Sequence, residues 1–347
     1  MKVLGLIASP NNPSSRARIV QYREPLSTQG INLTIRHFKR QSDANPDPWM
    51  YRIGKLMRIN PWRFLWMVNN ISRTPLQWEQ NRYDLIWQNR QILRLQSYHE
   101  RKLNKPRIFD FDDAIWLHDG EDSVIRALKG ATHVVAGNEY LASFARKHHD
   151  KVSIIPSVID TQRLFPLSAP DNNFTIGWMG SESNLRYLEI IKEPVLKFLG
   201  KYKHARLMIV SSEPGDIFQY DENRIIFQPW SAETEQELIN QFSIGLMPLE
   251  ENDFTRGKCS YKMLQYMSCG KPVIVSPVGM NAEILSAADV GKAANNAEEW
   301  FRAMEELMED RPQYEHLSKQ ARQLVVEKYS LEKWTPVLTN LMKACVL

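Results

Sequence analysis

The sequence has little cysteine, no long apolar run and no glycine-rich dinucleotide fingerprint, and each absence narrows its function. Its three cysteines, Cys259, Cys269 and Cys345, are an odd number without paired spacing. That excludes a disulfide framework or zinc knuckle and points to a reducing cytosol. No apolar stretch approaches the length of a membrane span, so any membrane contact is peripheral. The opening MKVLGLIASP carries one lysine and a very short apolar run, and reads as a first β-strand, not a signal peptide. The loop after it lacks G-x-G-x-x-G, which argues against a dinucleotide cofactor.

Acidic residues are also missing, over one particular stretch. From Pro48 to Arg107 there are twelve Lys/Arg against three Asp/Glu, although the whole chain is only +4. Such asymmetry predicts a basic surface on part of the first domain. Within it, residues 49–67 interleave Arg52, Lys55, Arg58 and Arg63 with aromatic and aliphatic side chains. A basic helix with Trp and Phe on its other face suits an anionic lipid interface, while an ordinary core helix with surface arginines is the plainer reading. Nucleic acid is disfavoured, because no binding module accompanies the basic stretch.

What is present is an α/β pattern. The length of 347 residues, with 43% hydrophobic and 24% charged, suits two soluble domains. Lys2–Ala8 and Ile31–His37 read as strands around a helical stretch from Arg16 to Gly30, the opening of a parallel doubly wound sheet. Arg16 and Arg18 begin that stretch and either face a cleft or form a solvated first turn. Tyr83–Gln88, Arg107–Phe111, Ala131–Ala136 and Lys151–Ile155 continue the strands. Asp110, Asp112 and Asp113 emerge where the fourth strand ends, either capping structure or serving a site. A metal there lacks a second ligand cluster. After a polar, proline-rich linker near residues 156–173 the alternation restarts with Phe174–Trp178, Arg206–Ser211, Ile225–Gln228 and Ile244–Pro248.

The stretch Arg256–Met280, RGKCSYKMLQYMSCGKPVIVSPVGM, is the most informative. Lys258 and Lys262 lie four apart at the start of an expected helix that stops at Gly270 and feeds the buried strand Pro272–Val275. Cations around a helix N-terminus beside a parallel strand suit an anionic ligand such as a diphosphate. Gly180-Ser181 offers a second strand-to-helix loop with backbone amides to present.

Three motifs in order resemble one family: IIPSVID (154–160), IGWMGSESNLRYL (176–188) and SCGKPVIVSPVG (268–279). They are similar to those of the family-4, or group 1, retaining glycosyltransferases, in a branch carrying S-R-x-R, D-x-D-D-A and G-K-C-x-x-K. The resemblance implies an α/β fold of GT-B type, two Rossmann-like domains facing a cleft. Residues 1–165 would be the acceptor-side domain, 172–328 the donor-binding domain, and 329–347 a helix returning to the first. It implies transfer from a nucleoside diphosphate sugar to a glycan or lipid-linked acceptor with retained configuration, without metal or cofactor, in the cytoplasm.

Implied donor residues are Gly180, Ser181 and Arg186 in one loop and Lys258, Cys259, Ser260, Lys262 and Gln265 in the other. Lys258 and Lys262 would also stabilise the departing diphosphate. Asp112, standing where the family often has a histidine, would orient the acceptor hydroxyl, with Arg16, Arg18, Asn89, Arg90 and Asp113 beside it. The family's two glutamates fall on Gly257 and Gln265, so Glu250, Glu251 or Asp253 would have to substitute. Their absence keeps a sugar-nucleotide epimerase and an inactive sugar-nucleotide binder open as alternatives.

Overall fold

The computed structural model describes residues 1–37, 52–53, 55–56, 58–93, 95–167, 173–221 and 223–347, with the backbone alone at 61, 62 and 65. Of the basic stretch 49–67, residues 49–51, 54 and 57 lie outside the described residues, as do linker residues 168–172. The chain divides into two compact units, one of Met1–Ile155 with Thr335–Leu347, the other of Pro156–Trp334. Residues 156–164 lie ahead of the expected boundary at 165 yet pack with the second unit. Ile159 bridges Ser330, and the Arg322 guanidinium donates to the carbonyls of Thr161 and Leu164 at 2.9 and 2.8 Å.

The first unit holds six parallel strands: β1 (Lys2–Ile7), β2 (Asn32–His37), β3 (Leu85–Asn89), β4 (Arg107–Phe111), β5 (His133–Ala136) and β6 (Val152–Ile154). Their order is β2-β1-β3-β4-β5-β6. Both β3 and β4 are buried throughout, the near-continuous apolar burial expected of strands covered on two faces. The helical stretch expected from Arg16 to Gly30 is broken into a helix Pro13–Arg18, a 3-10 turn and a helix Arg23–Thr28. Pro25 has no N–H to continue a helical ladder from the preceding turn, which accounts for the break. Arg16 and Arg18 therefore fall in the last turn of the first helix, not at a helix start.

The second unit repeats the plan with β7 (Phe174–Met179), β8 (Ala205–Ser211), β9 (Ile225–Pro229), β10 (Ile244–Met247), β11 (Val273–Val275) and β12 (Gly291–Ala293). The order β12-β11-β10-β7-β8-β9 is the doubly wound dinucleotide-fold order read from its far edge. Its core joins Ile176, Trp178, Leu207, Ile209, Ile244 and Leu246 from the strands to Trp300 and Met304 from a covering helix.

In each sheet the direction of winding reverses once, between β1 and β3 and between β7 and β10. The connections diverge there, leaving a crevice outside the carboxyl ends of the strands where ligands of open α/β sheets bind. Both groups of sequence-predicted residues fall at these two places.

Candidate functional site

In the second unit, β7 ends at Met179 and the chain turns through Gly180 and Ser181. The helix Tyr261–Ser268 is fixed against this turn by Tyr266, whose buried hydroxyl accepts from the Met179 N–H at 2.7 Å. Lys262, in the first turn of that helix, crosses the Gly180 backbone. A Cβ placed on Gly180 would lie 2.8 Å from Lys262 Cε and 2.4 Å from the Trp178 ring. The two loops singled out in the sequence thus meet at the β7/β10 reversal. Alanine at Gly180 is expected to displace the lysine or the ring and to destabilise the unit by about 1–3 kcal/mol, read by urea unfolding.

Lys258 lies in the loop before this helix, not on it, because the helix starts at Tyr261, later than expected. A short helix Asp253–Arg256 ends first, and Ser260 sits in the left-handed region at φ 50° before the next begins. Ser260 Oγ donates to Asn281 Oδ1 at 2.7 Å, and Asn281 Nδ2 donates to the Ser276 carbonyl at 3.0 Å. This joins the lysine loop to the loop after β11. The Lys258 ammonium stands 4.9 Å from the Phe254 ring centroid and 5.9 Å from that of Tyr187. Arg186 lies over the other aromatic partner, its guanidinium 4.9 Å from the Tyr187 centroid and donating to the Tyr187 hydroxyl at 3.0 Å. Tyr187 therefore supports two cations, drawing Arg186 and Lys258 to one place although 72 positions separate them in sequence.

Cys259 and Gln265 are buried, at 5% and 3% exposure, and act through packing or a short polar edge. Ser181 accepts from Asn184 Nδ2 at 2.7 Å, which orders the turn. Glu251 and Asp253, two of the substitutes considered for the missing glutamates, are exposed and pair with Arg256 at 2.9 and 3.3 Å.

In the first unit, the β1/β3 reversal gathers Ser14, Asn89, Arg90 and Asp112. Asn12 caps the helix Pro13–Arg18 through its side chain, which accepts from Ser15 N and aims Ser14 inward. Ser14 Oγ donates to Asp112 Oδ1 at 2.5 Å, and Arg90 Nη2 donates to the same oxygen at 2.9 Å. Arg90 also pairs with Asp113. Arg90 itself occupies the left-handed region at φ 61°, a strained conformation for a non-glycine residue, and its N–H donates to the Asp110 carbonyl at 2.8 Å. Burial pushes the Asp112 carboxyl up, but Arg90, Arg18 and the Ser14 hydroxyl together outweigh it and hold the group below the usual carboxylate range. Asp112 is thus an ionised acceptor, suited to receiving a hydrogen bond from a hydroxyl.

Arg18 is elsewhere. At 2% exposure it donates to Asp110 Oδ1 at 2.8 Å and to the Ile155 carbonyl at 2.7 Å, while Trp87 Nε1 donates to Asp110 Oδ2 at 3.1 Å. Arg18, read either as facing a cleft or as part of a solvated first turn, is instead interior structure. Arg16 is half-buried in the same turn. All three aspartates have an arginine partner, Asp110 with Arg18 and both Asp112 and Asp113 with Arg90. Among the described residues, no three His, Cys, Asp or Glu side chains assemble into a metal site.

The sequence offered Ser14 and Ser15 beside Arg16 and Arg18 in the first loop, but gave no sign of Tyr187, Phe254 or Asn281. Tyr187 follows Arg186 directly and Phe254 stands four positions before Lys258, so an aromatic near each cation was the available signal.

Comparison with solved structures identifies the class. Sucrose-phosphate synthase from Thermosynechococcus elongatus superposes with a TM-score of 0.72 at 13% identity, covering 99% of this chain and 98% of that one. HepE of Anabaena, solved in complex with UDP-glucose, gives 0.69 at 15% identity over 99% and 100%. A glycosyltransferase from Rickettsia africae gives 0.65 at 14% identity over 99% and 98%. At such identities the likeness speaks to architecture, and the chain has the GT-B fold. Residues 173–310, nearly the whole second unit after the linker, match the family model described as glycosyl transferases group 1. No curated protein matches in sequence.

Proposed function

We propose that the protein is a retaining, metal-independent glycosyltransferase whose donor is a nucleoside diphosphate sugar. The observation that carries this is the crossing of Lys262 over Gly180 at the β7/β10 reversal, with Lys258 and Arg186 held close by Tyr187. The Gly180 turn, the N-terminus of the helix Tyr261–Ser268 and Lys262 meet at the reversal where a doubly wound sheet receives phosphate, and Arg186 and Lys258 share Tyr187 on the element that follows this turn. In support, HepE was solved with UDP-glucose and, separately, with UDP and glucose.

In this reading the bond between the anomeric carbon and the diphosphate oxygen breaks, and its electron pair stays on the diphosphate. Lys258 and Lys262 stabilise that charge. The acceptor hydroxyl, of a glycan or a lipid-linked saccharide, attacks the anomeric carbon from the face the diphosphate leaves, which retains configuration, and its proton passes to the departing diphosphate oxygen. Within the first unit, Asp112, kept ionised by Arg90, is suited to accept a hydrogen bond from an acceptor hydroxyl.

The test is thermal unfolding against a panel of nucleoside diphosphates and sugar nucleotides. A donor at a hundred times its dissociation constant adds about 2.7 kcal/mol, or roughly 5–10 °C for a unit of this size. A panel without any shift would refute donor binding. Incubation of the stabilising donor with saccharide acceptors should release nucleoside diphosphate. Donor epimerised without an acceptor would instead mark the epimerase alternative, and binding without product would mark the inactive binder.

A further inference from the structure

We infer that the helix Pro61–Arg73, with the stretches flanking it, docks on an anionic lipid surface. The inference does not rest on the catalytic reading above. Leu56, Trp66, Ile71 and Trp78 are 84%, 56%, 62% and 66% exposed. Exposed large apolar residues scattered singly are ordinary, but four within this short reach, two of them tryptophan, form a concentration that water does not favour.

The local packing explains why Trp66 remains outside. Phe64 is buried and gathers Ile53, Ile59, Met67 and Val68 into a small satellite cluster. That cluster holds Ile53 and Ile59 against the helix. Trp66 follows Phe64 by two positions, about 200° around the helix, and so points away from the cluster. Trp78 lies on the next short helix, Leu76–Glu79, and Ile71 lies near the end of the first.

Charge selects the partner. Arg52, Lys55, Arg58 and Arg63 are all exposed, and the sequence from Pro48 to Trp78 contains no acidic residue. An anionic bilayer interface uses both the cations and the apolar groups, because tryptophan settles at headgroup depth while arginine and lysine meet the phosphates. Among the described residues no helix is long and apolar enough to cross a membrane, so the contact is with the interface.

The experiment is flotation of the full chain with phosphatidylcholine vesicles, with and without phosphatidylglycerol, at low and high salt. Wild-type protein is expected to float with the anionic vesicles at low salt and to be released at high salt. Arg52→Gln/Lys55→Gln/Arg63→Gln should bind them roughly 100-fold more weakly, at about fivefold per charge. Trp66→Ser/Ile71→Ser/Trp78→Ser should lose about tenfold or more through the lost apolar contact. Wild-type far-UV circular dichroism and a cooperative melt establish that each variant is folded. Wild-type protein that floats with neither vesicle overturns the proposal, as does binding that ignores salt and both sets of substitutions. A concentration-dependent dimer, dissolved by the serine variant without vesicle binding, would assign the surface to a second copy of the chain.

Discussion

Alanine at Lys258 is expected to lower turnover by about 10²–10³, the loss that follows removal of one preorganised charge from a developing oxyanion. When a nucleoside diphosphate departs, negative charge gathers on the oxygen released from the sugar. A cation already in place meets that charge without reorganising, which is why fixed groups in partly dry sites have large effects. Lys258 satisfies this condition, because Phe254 and Tyr187 hold its ammonium at 4.9 and 5.9 Å from their ring centroids. The rings attract the ammonium through their faces and so help to place it in the loop ahead of the helix.

The loss should fall mainly on kcat. In the proposed reaction the lysine would meet a diphosphate in the ground state too, but the charge it faced would grow in the transition state, and only that growth accelerates the chemical step. Lys258→Arg keeps the charge and changes its shape, and its rate should lie between those of the wild type and the alanine variant. Steady-state kinetics on variants with wild-type melting curves make the comparison. Turnover by Lys258→Ala close to that of the wild type would remove this residue from the leaving-group role.

The layers of the fold were visible in the sequence because burial imposes a local pattern. RLMIVS and RIFDF are runs that only a strand covered on both faces can accommodate, and both lie where expected as β8 and β4. The twelfth strand, Gly291–Ala293, escaped notice because GKA has neither β-branched residues nor alternation. It is a strand only because β11 offers it an open edge. The ends of the buried runs also marked the two ligand-facing loops, since polar and glycine residues follow them directly.

What the sequence did not disclose is pairing over distance. Arg18 and Asp110 are 92 positions apart, so nothing beside Arg18 distinguishes it from a surface arginine. Lys262 and Gly180 each stood out alone, but that one lies over the other depends on the reach of a helix fixed by Tyr266. The strained Arg90 was equally hidden. Its backbone conformation follows from anchoring at the β3 end, where its N–H is held by the Asp110 carbonyl.

Replacing Arg18 by methionine, which keeps most of the volume and removes the charge, is expected to destabilise the first unit by about 3–5 kcal/mol at neutral pH. The size follows from what is left behind. Asp110 is 1% exposed, and without Arg18 its carboxylate keeps, among the described residues, the indole N–H of Trp87 as its side-chain donor. Burial already pushes the Asp110 carboxyl up, with Arg18 the main opposing influence. In the variant that opposition is gone, so the folded-state value rises further above the unfolded one. A carboxyl shifted upward in this way favours the folded state below its unfolded value and loses that contribution as pH rises through the folded value. The deficit of the variant relative to the wild type should therefore shrink as pH falls from neutral toward the ordinary carboxylate range. Urea unfolding of both proteins across that interval measures it. An arginine that served to contact an acceptor would behave differently, leaving stability unchanged at every pH and raising only the acceptor's KM.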